Sequence, residues 1–220
     1  MSVCASSAGS VCMLAIKGSS LYKKGKSMEN KTDDALAIDL KLVLAGVGGQ
    51  GVLFATRLLS ETAQALGLEF ISSEIHGMSQ RGGSVVSHLK IGPSENSLVR
   101  QGSADLLLAF TLDEGYRNLS YLRPGGDWVV NCPSIESLDG GIQTHLAERG
   151  DRLYPLDADG LTESPRVANV ALVGFATGLG ALTLPVASLK QTLAAISPER
   201  FHALNLKAFQ RGTEAGEQRR

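Results

Sequence analysis

The sequence predicts an α/β fold, a three-layer Rossmann-like sandwich around a mainly parallel, mixed sheet. Three observations carry that prediction. Short apolar runs of strand length alternate with longer segments of helical period, the pattern of βα units. The first run leads through a glycine turn, "GVGGQG" at 46–51, straight into the first helix. One alternating segment, "SVVSHLKIG" from Ser84, follows a loop and not a helix, which admits an antiparallel strand.

The elements follow in chain order. "LKLVLA" (40–45) reads as a buried strand. In "QGVLFATRLLSETAQALG" the residues Val52, Leu53, Ala55, Leu58, Leu59, Thr62, Ala63 and Leu66 recur at three- and four-residue spacings, a helical face, and Gly67 is its stop. "LEFISS" is a second strand at about 69–73; it completes a βαβ unit whose crossover is expected to be right-handed. From Ser84, Val85, Ser87, Leu89 and Ile91 share one face, and Ser84, Val86, His88 and Lys90 the other. "GPSENS" is a turn, "ADLLLAF" (104–110) an interior strand, "LDEGYRNLSYL" a helix, "RPGG" a turn, "DWVVNC" a strand and "RLYPLDA" a short extended piece. "ANVALVGFATGLGAL" (168–182) is an apolar helix bearing glycines, and "VASLKQTLAAI" and "PERFHALNLKAFQRGTEAG" are two amphipathic helices.

The first 39 residues differ in character. They are rich in Ser, Gly and Lys and show no sustained period, so 1–39 read as a disordered tail, with Met28 an alternative start, and 40–216 as the domain. The lysines follow the short apolar piece instead of preceding it, unlike a secretory signal, which makes the cytoplasm the default compartment.

Composition narrows the function. A net charge of −1 gives no general attraction to nucleic acid or an anionic membrane, and 5% aromatic residues leave little for base stacking. No apolar stretch reaches the roughly 20 residues of a membrane span. The cysteines Cys4, Cys12 and Cys132 are too few for an all-cysteine iron–sulfur cluster, and no CxxC pair points to structural zinc.

Two stretches concentrate chemistry. The first is the turn itself, Gly46, Gly48, Gly49, Gln50 and Gly51, which fits the dinucleotide fingerprint and is expected to present free N–H groups at a helix start. Glu74, about 23 residues after Gly51, stands where a ribose-binding acid is wanted, so spacing alone keeps a nicotinamide cofactor open. The second is "SEIHGMSQRGG". Here His76 can move a proton near neutrality, Gln80 can donate and accept, and Arg81 offers a fork for carboxylate or phosphate. Gly82 and Gly83 permit close backbone approach. A loop or interface held by hydrogen bonds accounts for the same residues. Both stretches are expected at the carboxyl ends of strands, where open α/β sheets place their crevice.

Taken together, "GVGGQGV" and "SEIHGMSQRGGSVVSHLKIG" resemble the gamma-type domain of the 2-oxoacid:ferredoxin oxidoreductases. The likeness runs from about Leu40 to about Gly216. It includes "YLRPGGDWVVN", the "NVALVGFATG" helix with Asn169 and Gly174, and "ALNLKAFQRG". Within the family it is greatest to the small (beta) subunit of the indolepyruvate enzymes. The resemblance implies oxidative decarboxylation of a 2-oxoacid, here an aryl pyruvate, to an acyl-coenzyme A with reduction of ferredoxin. It implies a large alpha subunit that carries thiamine diphosphate, magnesium and [4Fe-4S] clusters. This chain is then a companion, inactive alone and binding none of these by itself. "LDGG" at 138–141 lacks the continuation of a thiamine diphosphate motif. His76 and Arg81 become the catalytic candidates, and the two glycine-rich stretches become candidates for a coenzyme A, anion or subunit contact. Pyruvate, 2-oxoglutarate and branched-chain enzymes of the family, a stand-alone dinucleotide oxidoreductase, and an anion-binding module are the alternatives.

Overall fold

A computed structural model of the chain describes residues 12–18, 38–76 and 82–220, with backbone alone for 12–18 and His76. Seven strands form one sheet: β1 (Cys12–Gly18), β2 (Leu40–Val47), β3 (Phe70–His76), β4 (Ser84–Ile91), β5 (Ala104–Ala109), β6 (Leu122–Asn131) and β7 (Arg152–Leu156), in the order β1-β3-β4-β2-β5-β6-β7. The helices are α1 (Val52–Ala65), α2 (Leu112–Asn118), α3 (Gly140–Arg149), α4 (Ala158–Leu161), α5 (Ala168–Gly178), α6 (Val186–Ile196) and α7 (His202–Glu217). β2, β5, β6 and β7 pair in parallel, while β4 runs antiparallel to both β2 and β3. The mixed α/β sandwich read from the sequence is therefore the observed one.

The βαβ unit β2–α1–β3 is split. β4 occupies the place beside β2, with Leu42 opposite Leu89, and β3 lies one strand further out, with Ser72 opposite Leu89. The alternation of β4 suits this interior position. Val85, Leu89 and Ile91 join the core under α1, and His88 is buried on the opposite face. α1 ends as its sequence requires. Gly67 takes φ 72, its N–H bonds Gln64 O, and Leu68 N–H bonds Ala63 O, a Schellman closure.

Three readings change. Cys12–Gly18, assigned above to a disordered tail, form β1, antiparallel to β3 from Cys12↔His76 to Gly18↔Phe70. A run too short to declare a period can still occupy a free sheet edge, because main-chain hydrogen bonds carry the pairing. Met28, with the rest of 19–37 and residues 1–11, lies outside the described part. "RPGG" is not a separate turn. It lies inside β6 at a register shift against β5, with Gly125 at φ 72 and its N–H bonded to Asp151 Oδ1 at 2.9 Å. "LDGG" starts α3, which the periodicity did not announce. Asp139 Oδ1 caps the helix by accepting from Gly141 N (2.8 Å) and Ile142 N (3.2 Å).

Two cores hold the layers. One lies between the sheet and α1, α5, α6 and α7, the other between the sheet and α2 and α3 around Trp128. Within the first, α5 and α7 approach so closely that a Cβ on Gly174, Gly178, Gly212 or Gly216 would collide with the facing helix backbone.

Candidate functional site

The two glycine-rich stretches meet because of the split crossover. β2 and β3 point the same way, so the turn after β2 and the carboxyl end of β3 share one end of the sheet. β4 then starts beside the end of β2, with Ser84 opposite Val47. Gly48 N–H bonds Gly83 O at 2.9 Å and joins the two backbones. Ser84 Oγ donates to Glu114 Oε2 (2.6 Å), and buried Glu114 pairs with Arg117, which anchors the start of β4 to α2.

The turn is largely self-satisfied. Gln50 N–H bonds Val47 O (3.0 Å), and Val47 N–H bonds Gln50 Oε1 (2.7 Å). Gln50 is thus a brace across its own turn, and the N–H groups of Gly48 and Gln50 are already used. A Cβ on Gly46 would meet Val52 Cγ2 at 2.8 Å and Phe110 at 3.1 Å, so that glycine lets the helix sit tightly on β2. Gly49 and Gly51 adopt φ 99 and 82. Gly51 caps α1 without a side-chain hydrogen bond, and Asn169 Nδ2, reaching from α5, donates to Gly51 O at 3.2 Å.

The other sequence candidates fall as follows. The backbone of His76 ends β3 opposite Val85; Gln80 and Arg81 lie outside the described residues. Gly82 takes φ 73 in open space. Glu74 is on β3 opposite Ser87 and is not without a partner. Because β4 intervenes, Glu74 stands two strand spacings, roughly 10 Å, from the strand that carries the glycine turn. A ribose-binding acid belongs on the strand next to that turn. The geometry therefore weakens the dinucleotide reading that spacing had left open.

The structure adds residues that the sequence did not single out. Two clefts adjoin at this end of the sheet, both lined by Arg166 and Asn169. One, of about 250 Å³, is bordered by Gly49, Gln50, Asn131 and Asp159. The other, of about 200 Å³, is bordered by Gly51, Phe54, Pro198, Phe201 and Asn205. Asn131 ties the floor together: its Nδ2 donates to Asp159 Oδ2 (2.9 Å) and its Oδ1 accepts from Ala158 N (2.9 Å). Arg166 is exposed and makes no ion pair among the described residues. The segment before it is tethered by Glu163, which pairs with Lys207 and lies 3.6 Å from Arg211. Its partners hold the carboxyl of exposed Glu163 below the usual range, Lys207 most strongly. Gly49, Gln50 and Gly51 were candidates of the turn, and Asn131, Asn169, Asn205, Lys207 and Arg211 lie within the stretches of family likeness; Phe54, Asp159, Glu163 and Arg166 carried no functional signal in the sequence. Among the described residues no group of three or more His, Cys, Asp or Glu is placed to hold a metal ion.

Residues 41–215 match the family described as pyruvate ferredoxin/flavodoxin oxidoreductase. The indolepyruvate oxidoreductase subunit IorB of Pyrococcus horikoshii is 30% identical over 199 residues, 82% of this chain and 97% of that protein. The 2-oxoglutarate synthase subunit KorC of Methanothermobacter marburgensis is 26% identical over 78% of this chain and 93% of that protein. In fold, the chain is similar to the gamma subunit of a keto/oxoacid ferredoxin oxidoreductase from Geobacter sulfurreducens, with TM-score 0.65 and 24% identity over 81% of this chain and 99% of that one. It is also similar to part of the 2-oxoglutarate:ferredoxin oxidoreductase of Magnetococcus marinus, with TM-score 0.68 and 22% identity over 82% of this chain and 31% of that one.

Proposed function

This chain belongs to the pyruvate ferredoxin/flavodoxin oxidoreductase family as the small subunit of a 2-oxoacid:ferredoxin oxidoreductase, and from that premise we propose that its complex oxidatively decarboxylates indolepyruvate and other aryl pyruvates. The supporting observation is the likeness to IorB proteins over nearly their whole length, at 28–30% identity, against 26% to KorC proteins.

Thiamine diphosphate and the iron–sulfur clusters do not fit the described residues. Three cysteines are too few for a cluster, the only cysteine with a described side chain is buried Cys132, and the Asp139 of "LDGG" is spent on a helix cap. In this proposal both cofactors, with magnesium, belong to a large alpha subunit, and ferredoxin receives the electrons. No helix among the described residues is long and apolar enough to cross a membrane. In this proposal the complex works in the cytoplasm. In this proposal the glycine turn, joined to Gly83, belongs to the surface offered to the partner's active site. The uncapped start of α1 remains a candidate contact for an anion such as a coenzyme A phosphate.

Anaerobic purification of the tagged chain from its host, with native mass spectrometry and oxoacid assays on the complex, tests this reading. It expects a larger partner and turnover of indolepyruvate above pyruvate and 2-oxoglutarate. A lone chain holding a dinucleotide overturns it. In the complex, His76→Ala and Arg81→Ala are expected to lower turnover more than assembly; equal loss of both makes the loop an interface only.

A further inference from the structure

We infer that the sheet face on which Lys41 and Lys90 stand docks an acidic surface of another subunit of the complex; the inference rests on the small-subunit reading above and not on the choice of oxoacid. Lys41 on β2 and Lys90 on β4 are direct cross-strand partners, and their row continues through Ile71 on β3 to the position of Lys17 on β1. Direct partners share a face, and like charges so placed destabilise a sheet. Lysines often guard a sheet edge, but β2 and β4 are interior strands. Arg100, exposed in the segment after β4, adds a third cation. Burial first, then the charges of Lys41 and Arg100, hold the Lys90 ammonium below its usual range, against the opposing charge of Asp39. The side chains of Lys41, Lys90 and Arg100 make no ion pair among the described residues. The acid on the neighbouring strand, Asp105, is committed to Arg123 Nε (2.7 Å) and to the Lys41 backbone N–H (2.8 Å). The surroundings suit a protein. α2 packs on β2, β5 and β6, and α3 on β7, which leaves most of β3 and β4 beyond both helices on this side. Ile71, Ile75 and Val86 share the face and are half-buried, so apolar area lies beside the cations. Cations spread over adjacent strands among apolar residues match a broad acidic surface better than one small anion. Segment 19–37 has four lysines against one glutamate and two aspartates, the wrong sign to neutralise the row.

The complex, purified anaerobically through the tagged chain and diluted at several salt concentrations, tests the surface, with the assembled fraction read by mass photometry. Lys41→Glu with Lys90→Glu is expected to raise the apparent dissociation constant roughly tenfold or more and to flatten the salt dependence of the parent. The milder pair, Lys41→Gln with Lys90→Gln, separates docking from folding. Its isolated chain is expected to melt at or above the temperature of the parent, because the repulsion is relieved, while its complex weakens. Lys190→Glu on α6, across the sheet, is expected to leave assembly unchanged. Assembly indifferent to both pairs or to salt, an equal loss with Lys190→Glu, or capture of a duplex oligonucleotide by the parent and not by the reversed chain overturns the surface. The two readings fail separately. A chain purified with no partner subunit removes the small-subunit role, whereas a complex that holds regardless of these lysines removes the surface alone.

Discussion

The turn at 46–51 and the packed pair α5–α7 are both rich in glycine, for opposite physical reasons. In the helix pair, Gly174, Gly178, Gly212 and Gly216 are absent from the residues with positive φ; a side chain has no room there. A Cβ on Gly212 would be driven into Ala171 O, and one on Gly174 into Phe209 O, both backbone atoms of the facing helix. In the turn, Gly49 has open space around it and φ 99, so conformation alone demands glycine. Gly51 combines the two demands, at φ 82 with the Asn169 carboxamide against it. Steric demand against backbone spreads through whole helices, whereas conformational demand costs a local and bounded strain.

That contrast sets an order of effects. Gly212→Ala is expected to cost most, about 3 kcal/mol or more, because two helices must separate to admit one methyl. Thermal unfolding should show a drop of roughly 6–12 °C, and a drop under about 2 °C would break the contrast. Next comes a background effect against which the glycine variants must be read. His88 is 1% exposed, neither ring nitrogen has a hydrogen-bond partner, and its ring meets Tyr121 edge-on at 5.0 Å. Burial first, and the charge of Lys90 second, push its pKa from 6.5 down to about 4. The native state therefore holds it neutral, while the unfolded chain takes up a proton below about pH 6.5. Stability is full above that pH and falls as the pH approaches 4, by at most on the order of 3 kcal/mol. Denaturant titrations across that range should show the slope, and His88→Leu should flatten it.

Gly51→Ala follows at about 2 kcal/mol, from φ strain plus the clash with Asn169. Adding Asn169→Ala should recover part of that loss, and a double-mutant cycle measures how much is steric. Gly49→Ala is the smallest, about 1 kcal/mol, with no change on adding Asn169→Ala. Equal costs at Gly49 and Gly51 would show that Asn169 exerts no pressure on the turn.

The legibility of the sequence varied with the reach of the forces involved. α1 was plain because its apolar spacing and its Schellman glycine are local, and β4 was plain because its alternation survives in its burial. α3 escaped because its apolar face is thin, Leu146 being its one buried residue, although the Asp139 cap and Gly150 stop stood in the sequence. The turn and the "SEIHGMSQRGG" stretch stood out as motifs, yet the Gly48–Gly83 bond between them depends on β4 entering the split crossover.

Apolar period, turn glycines and caps act within a few residues of one another, and they were enough for the α/β class, most elements and the family likeness. The clefts are another matter. Asn169 meets Gly51 across 118 residues, and Phe54 and Phe201 border one cavity from α1 and from the start of α7. No local pattern encodes such meetings. They arise when strand order and the glycine-spaced α5–α7 contact bring distant helix starts to one end of the sheet.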